Sequence, residues 1–170
     1  DEAGEGVVTL AAVSRALVRM FARYAQDDRV ILPLLATLDQ LLTHGLVHPE
    51  YCLQVIECIK TELNHSPKKD VKKLLGSIKV TCGLLGMPPE ADPARPLRTT
   101  CLLFALSLLG NRFPKVRAST AQQLYTVLLT FSESFADVDD DAMDDVLAAL
   151  MDRHWDSADA AAVRAKRDGL

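Results

Sequence analysis

Apolar residues recur along this chain at the three- and four-residue spacing of helices, and prolines and glycines cut the pattern into segments. Around 49–64, Cys52, Val55, Ile56, Ile59 and Leu63 share one face, with Glu50, Glu57 and Thr61 elsewhere. Around 67–86, Val71, Leu74, Leu75, Ile78, Cys82 and Leu85 form another stripe. Ser66 before Pro67 reads as an N-cap followed by proline at the first helical position, and Gly86 with Pro88 and Pro89 reads as a stop. The same reasoning predicts helices near 7–26, 30–44, 95–110, 114–131, 139–154 and 157–168. Pro33 either delays the second of these or kinks its first turns. No stretch alternates apolar and polar residues between turn pairs as strands do. The fold class expected is therefore all-α.

Taken as pairs, the first members begin near 7, 49, 95 and 139, about 42 to 46 residues apart. That interval matches HEAT and armadillo units, so about eight helices in four antiparallel pairs are expected. The whole chain, 1–170, reads as a single helical-repeat domain, and a first residue that is Asp suggests a piece of a longer protein. Met87–Ala94, with its three prolines, is the candidate hinge.

The segment from Arg112 to Leu124 carries the turn-to-second-helix pattern of such a repeat: Pro114, then Val116 and Arg117, a small-residue patch, then Leu124. Pro114 opens the helix without losing a useful donor. Arg117 falls on the apolar side, in the first turn, where the helix dipole opposes a cation. It needs a specific partner, a carboxylate or the loop carbonyls of an adjacent unit. Pro114, Val116 and Arg117 are accordingly assigned a structural role in joining repeats.

Composition narrows the function. Apolar residues make up 49% of the chain, and the net charge of −4 is a poor match to phosphate backbones. The apolar runs Val30–Leu35 and Cys101–Leu106 are far shorter than the roughly 20 residues of a membrane span. Neither nucleic acid nor membrane is expected as a partner. Cysteines 52, 58, 82 and 101 form no CxxC pair and read as reduced thiols, Cys52 and Cys82 within apolar stripes. Asp137, Asp139 and Asp141 occupy three positions of a calcium loop, but Ala142 and Ala148 stand where Gly and a bidentate Glu are required. These aspartates read instead as charges favoured at a helix N-terminus. His44 and His48 are four apart, as a metal pair on a helix would be, but Gly45 and Pro49 put them in a turn without a third ligand, and His65 and His154 sit at predicted helix ends. No phosphate-binding glycine loop or nucleophile elbow is present, and no catalytic residue, cofactor or metal is assigned.

Lys68, Lys69, Lys72 and Lys73, with Lys79, are placed on one side of the fourth helix, opposite its apolar stripe. They are read either as a solvated face or as a docking patch for an acidic partner.

Arg112-Phe-Pro-Lys-Val-Arg117, continued by Ser119-Thr-Ala-Gln-Gln-Leu-Tyr-Thr-Val-Leu-Leu-Thr130, resembles the C-terminal domain of tubulin-folding cofactor D. So do Arg29-Val-Ile-Leu-Pro-Leu-Leu35, Leu41-Leu-Thr-His-Gly45, Lys73-Leu-Leu-Gly-Ser-Ile-Lys-Val-Thr-Cys-Gly-Leu84, His154-Trp-Asp156 and Val163-Arg-Ala-Lys-Arg167. The resemblance implies a non-catalytic chaperone of the HEAT type, cytoplasmic and linked to microtubule-organising centres. Its implied partners are β-tubulin or αβ-tubulin, sister tubulin cofactors and an Arf-like small GTPase. The Ala-rich tail and the Asp-rich 137–145 segment depart from the family's pattern. A second reading is a structural cap closing a helical array.

Overall fold

The computed structural model describes residues 8–65, 70–92, 95–151, 153–157 and 159–170. Among them are eight α-helices and no strand: α1 (Leu10–Arg23), α2 (Asp28–Thr43), α3 (Pro49–His65), α4 (Val71–Leu85), α5 (Pro96–Leu109), α6 (Pro114–Thr130), α7 (Asp140–Met151) and α8 (Ala160–Arg167). The all-helical class read from periodicity is the class observed. Local chemistry sets the boundaries. Thr9, Asp27 and Asp70 each accept a backbone N–H of the helix they precede, and Pro96 and Pro114 open α5 and α6.

Two details differ from the pattern-based reading. α4 is capped by Asp70, and the Ser66–Pro67 start signal lies outside the described residues. α2 does not start late: it begins at Asp28 and carries Pro33 inside it. The residue is exposed there, so the lost donor faces solvent rather than the core.

The first six helices form two layers. The odd helices α1, α3 and α5 pack in sequence, and the even helices α2, α4 and α6 lie beside one another in the second layer. Between the layers runs one apolar core, with Ile31, Leu38, Cys52, Ile56, Ile78, Val80, Cys101, Leu109 and Val116 almost wholly buried. α4 is the central element, touching α2, α3, α5 and α6. It approaches α2 closely: a Cβ added at Gly83 would lie 3.1 Å from the Leu42 Cβ. Even an alanine there would press on the core side chain that the two helices share.

The last forty residues are arranged differently. α7 packs mainly on α6, α8 reaches α5, and a 3₁₀ turn at Arg153–Asp156 lies against α6. Trp155 and Val163 are buried, and the indole Nε1 donates to the Ala149 carbonyl at 3.0 Å. Between Met87 and Ala94, Pro89–Ala91 form a 3₁₀ turn, and the Asp92 carboxylate accepts the N–H groups of Leu97 and Arg98 at 3.2 and 2.9 Å.

Candidate interaction site and its charged ties

Three charged groupings hold the layers in register. The first is centred on Glu62, which lies on the buried side of α3. Its carboxylate accepts the Lys73 ammonium at 2.7 Å and the Gln26 N–H at 3.1 Å, while its own carbonyl accepts Gln26 Nε2 at 2.8 Å. Lys73 also pairs with Asp28. Burial pulls the Lys73 pKa down, but the hydrogen bonds to Asp28 and Glu62 outweigh it and hold the pKa above the ordinary lysine value. Gln26 adopts a left-handed backbone, φ 64°, which a non-glycine residue keeps only where its surroundings compensate. Both its bonds to Glu62 supply that compensation. One buried ion pair thus ties the α1–α2 turn, α3 and α4 together.

This geometry corrects the reading of Lys73 as solvent-facing. Its side chain is 1% exposed, whereas Lys72 and Lys79 are exposed and Lys68 and Lys69 lie outside the described residues. The four lysines therefore do not form one continuous surface. The sequence reading assumed a single apolar stripe, but a helix with neighbours on four sides keeps only a narrow wet strip. Lys73 shares a buried side with Ser77, Val80 and Leu84. Glu62 is a site residue whose signal in the sequence is its place beside Ile59 and Leu63, a charge within an apolar stripe.

The second grouping is Arg117, 3% exposed at the start of α6. Its guanidinium donates to the carbonyls of Asn111 at 2.7 Å, Trp155 at 2.9 Å and Ser157. Its partners are loop carbonyls, one in the turn before α6 and two in the 153–157 segment. Val116 beside it is fully buried, and Pro114 stands at the first helical position. A planar fork of donors suits three carbonyls in a way a lysine cannot match.

The third is Asp137, gripped by Arg95 and by both terminal nitrogens of Arg98, at 2.7 and 2.8 Å. Arg98 also donates to the Ser134 carbonyl at 3.1 Å and lies over the Phe135 ring. Hydrogen bonds from Arg98 hold the Asp137 carboxyl far below the usual carboxylate range. Asp137 is thus an ion-pair partner, and Asp139 caps α7 through the Ala142 N–H at 3.2 Å. Among the described residues no three His, Cys, Asp or Glu side chains cluster as metal ligands would.

Burial raises the thiol pKa of Cys52 to about 11 and of Cys82 to about 12, and lifts Cys58 and Cys101 as well. All four are free thiols. His48 donates its backbone N–H to the buried Ser14 hydroxyl at 2.9 Å, joining the α2–α3 turn to α1. His65 Nδ1 lies 2.8 Å from the Thr61 carbonyl, closing the last turn of α3.

The fold is a layered stack of helices, with one ion pair buried between the layers and further charged ties at its last segments. No helix among the described residues is long and apolar enough to cross a membrane. Residues 4–73 match the family model described as tubulin folding cofactor D C terminal. The resemblance drawn from the sequence is thereby shown over that span. It contains Arg29–Leu35 and Leu41–Gly45, and the segment from Lys73 begins at its edge. No solved structure matches the chain.

Proposed function

We propose that this chain is a non-catalytic scaffold or chaperone segment that contributes to binding β-tubulin and to assembling or dismantling the αβ-tubulin heterodimer. The match of residues 4–73 to the cofactor D C-terminal family carries this reading. Stacked helical pairs suit it physically, because a layered stack offers long rigid faces over which many weak contacts add. Sister tubulin cofactors and an Arf-like small GTPase are its further partners. Any nucleotide hydrolysis belongs to tubulin or the GTPase. The setting is the cytoplasm, at the cytoskeleton and microtubule-organising centres.

In this reading residues 1–170 work as one domain, with the proline-rich 87–94 connection as its point of flexure. Arg117, with Pro114 and Val116, joins the repeats, while Lys68, Lys69 and Lys72 remain candidate partner contacts.

Size-exclusion chromatography with light scattering tests the proposal, running the chain alone, with αβ-tubulin and with the GTPase. Co-elution with either supports a holding role. A monomer that meets neither favours a structural cap closing the array, a reading to which the polar ties of the last forty residues lend support.

A further inference from the structure

A cation recurs near the start of each helix of the even layer. Arg29, Lys72 and Lys115 are each the second residue of their helix, at equal intervals along the chain, and all three are exposed. The positive end of a helix dipole disfavours a cation at that position, yet it recurs in three successive units. Arg29 is neutralised by Asp27, which it grips through Nε and a terminal nitrogen at 3.0 Å. Lys72 and Lys115 have no ion-pair partner among the described residues. Lys79, on the same strip of α4, lies 4.0 Å from Asp39 and keeps 58% of its side chain exposed. α4 and α6 contain no acidic residue, in a chain whose net charge is −4. On the odd layer α1 and α5 also lack acidic residues, while α3 mixes Glu50 and Glu57 with Lys60.

Lys79 and Asp39 line a groove of about 480 Å³ between the C-terminal halves of α2, α4 and α6, while Lys72 and Lys115 lie toward the N-terminal ends of α4 and α6. Thr43, Thr126 and Thr130 stand on it, Val127 lines it, and Phe131 remains 42% exposed within it. A Cβ at Gly86 would fall 2.8 Å from the Phe131 ring, so glycine is what allows the ring to lie across this end.

We propose that this face docks an acidic, extended polypeptide segment carrying an apolar side chain. Acidic residues would meet Lys79 at the groove and Lys72 and Lys115 farther along the face, the threonine hydroxyls would meet backbone amides, and the apolar side chain would cover Phe131 and Val127. A nucleic acid fits less well, since the cations are few and widely set and Phe131 is the one aromatic residue lining the groove. The inference rests on the partner-holding reading and names the surface it would use.

The test is fluorescence anisotropy of the full 170-residue chain with a labelled twelve-residue peptide, Glu-rich around a central Leu-Phe. A Lys-rich counterpart and a labelled single-stranded oligothymidylate serve as comparisons. We expect saturable binding of the Glu-rich peptide that weakens as salt is raised, and about tenfold weaker binding by Lys79→Glu and by Lys72→Glu/Lys115→Glu. The double variant puts acids where the helix dipole favours them, so unfolding would not mimic the loss. No saturable binding, equal binding of the Lys-rich peptide or the oligothymidylate, or variants that bind like the parent would each overturn the assignment. If the peptide fails while the chain still co-elutes with αβ-tubulin, the surface is wrong and the holding role stands. Peptide binding without tubulin co-elution would mean the reverse.

Discussion

The helices from α1 to α6 and the last forty residues solve the same packing problem by different means. In the first region, long amphipathic helices interdigitate across one continuous core, and the Lys73–Glu62 pair sits inside it as a registering pin. In the second, α7 and α8 are short, and much of what attaches them is polar: Arg117 reaching loop carbonyls, and Arg95 and Arg98 holding Asp137. Apolar contact is present there too, through Trp155, Leu150 and Val163. It leaves a partly open apolar recess of about 200 Å³ between α5, α6 and α7. A repeat array can thus change from apolar stacking to side-chain tethering within one chain. The two modes should fail separately.

The largest expected effect comes from the first region. Lys73→Ala leaves the Glu62 carboxylate buried without its cation, which typically costs about 3–5 kcal/mol. For a chain of this size that lowers the Tm by about 10 °C or more in a thermal melt. A Lys73→Met/Glu62→Leu double variant should recover much of the loss, since apolar replacement of a whole buried pair is often close to neutral. A Tm for Lys73→Ala within a degree of the parent would show that the pin carries no load.

Arg117→Met comes next. It leaves three carbonyls without their donor and should cost about 2–3 kcal/mol, felt mainly in the 153–157 turn and the helices it attaches. Limited proteolysis should cut first between α6 and α8. Cleavage between α1 and α5 at an equal rate would contradict the division.

Both residues show what the sequence could convey. Helix number and order were legible because proline, glycine and capping residues mark ends to within a few residues, and three- and four-residue spacing marks faces. Arg117 was legible as a charge on an apolar face that needed a partner. Lys73 was not, since whether a helix has one packed side or four is decided by its neighbours and not by its own period. The even-layer groove was invisible for a related reason: its walls come from three helices far apart in sequence.

Smaller effects separate the regions by chemistry. Asp137 has a folded-state pKa below its ordinary value of 3.8, so its contribution is complete above that value and is lost only as pH falls further, toward the folded pKa. Acid should therefore leave the Asp137 tie intact down to about pH 4, and Asp137→Asn should flatten the dependence below it, read by the fluorescence of Trp155, the chain's one tryptophan. Smallest is the thiol response. Cys52, Cys82 and Cys101, buried with raised pKa values, should resist a disulfide reagent at pH 8 while half-buried Cys58 reacts first. Simultaneous labelling of all four would mean that the core opens as readily as the surface.

The most direct test of the two-mode account is native-state hydrogen exchange of the parent chain under mild denaturant, read segment by segment. The account predicts that α2–α6 exchange together, only through global unfolding, while α7 and α8 exchange earlier as one subglobal unit. Equal protection across all eight helices, with a single shared dependence on denaturant, would contradict it.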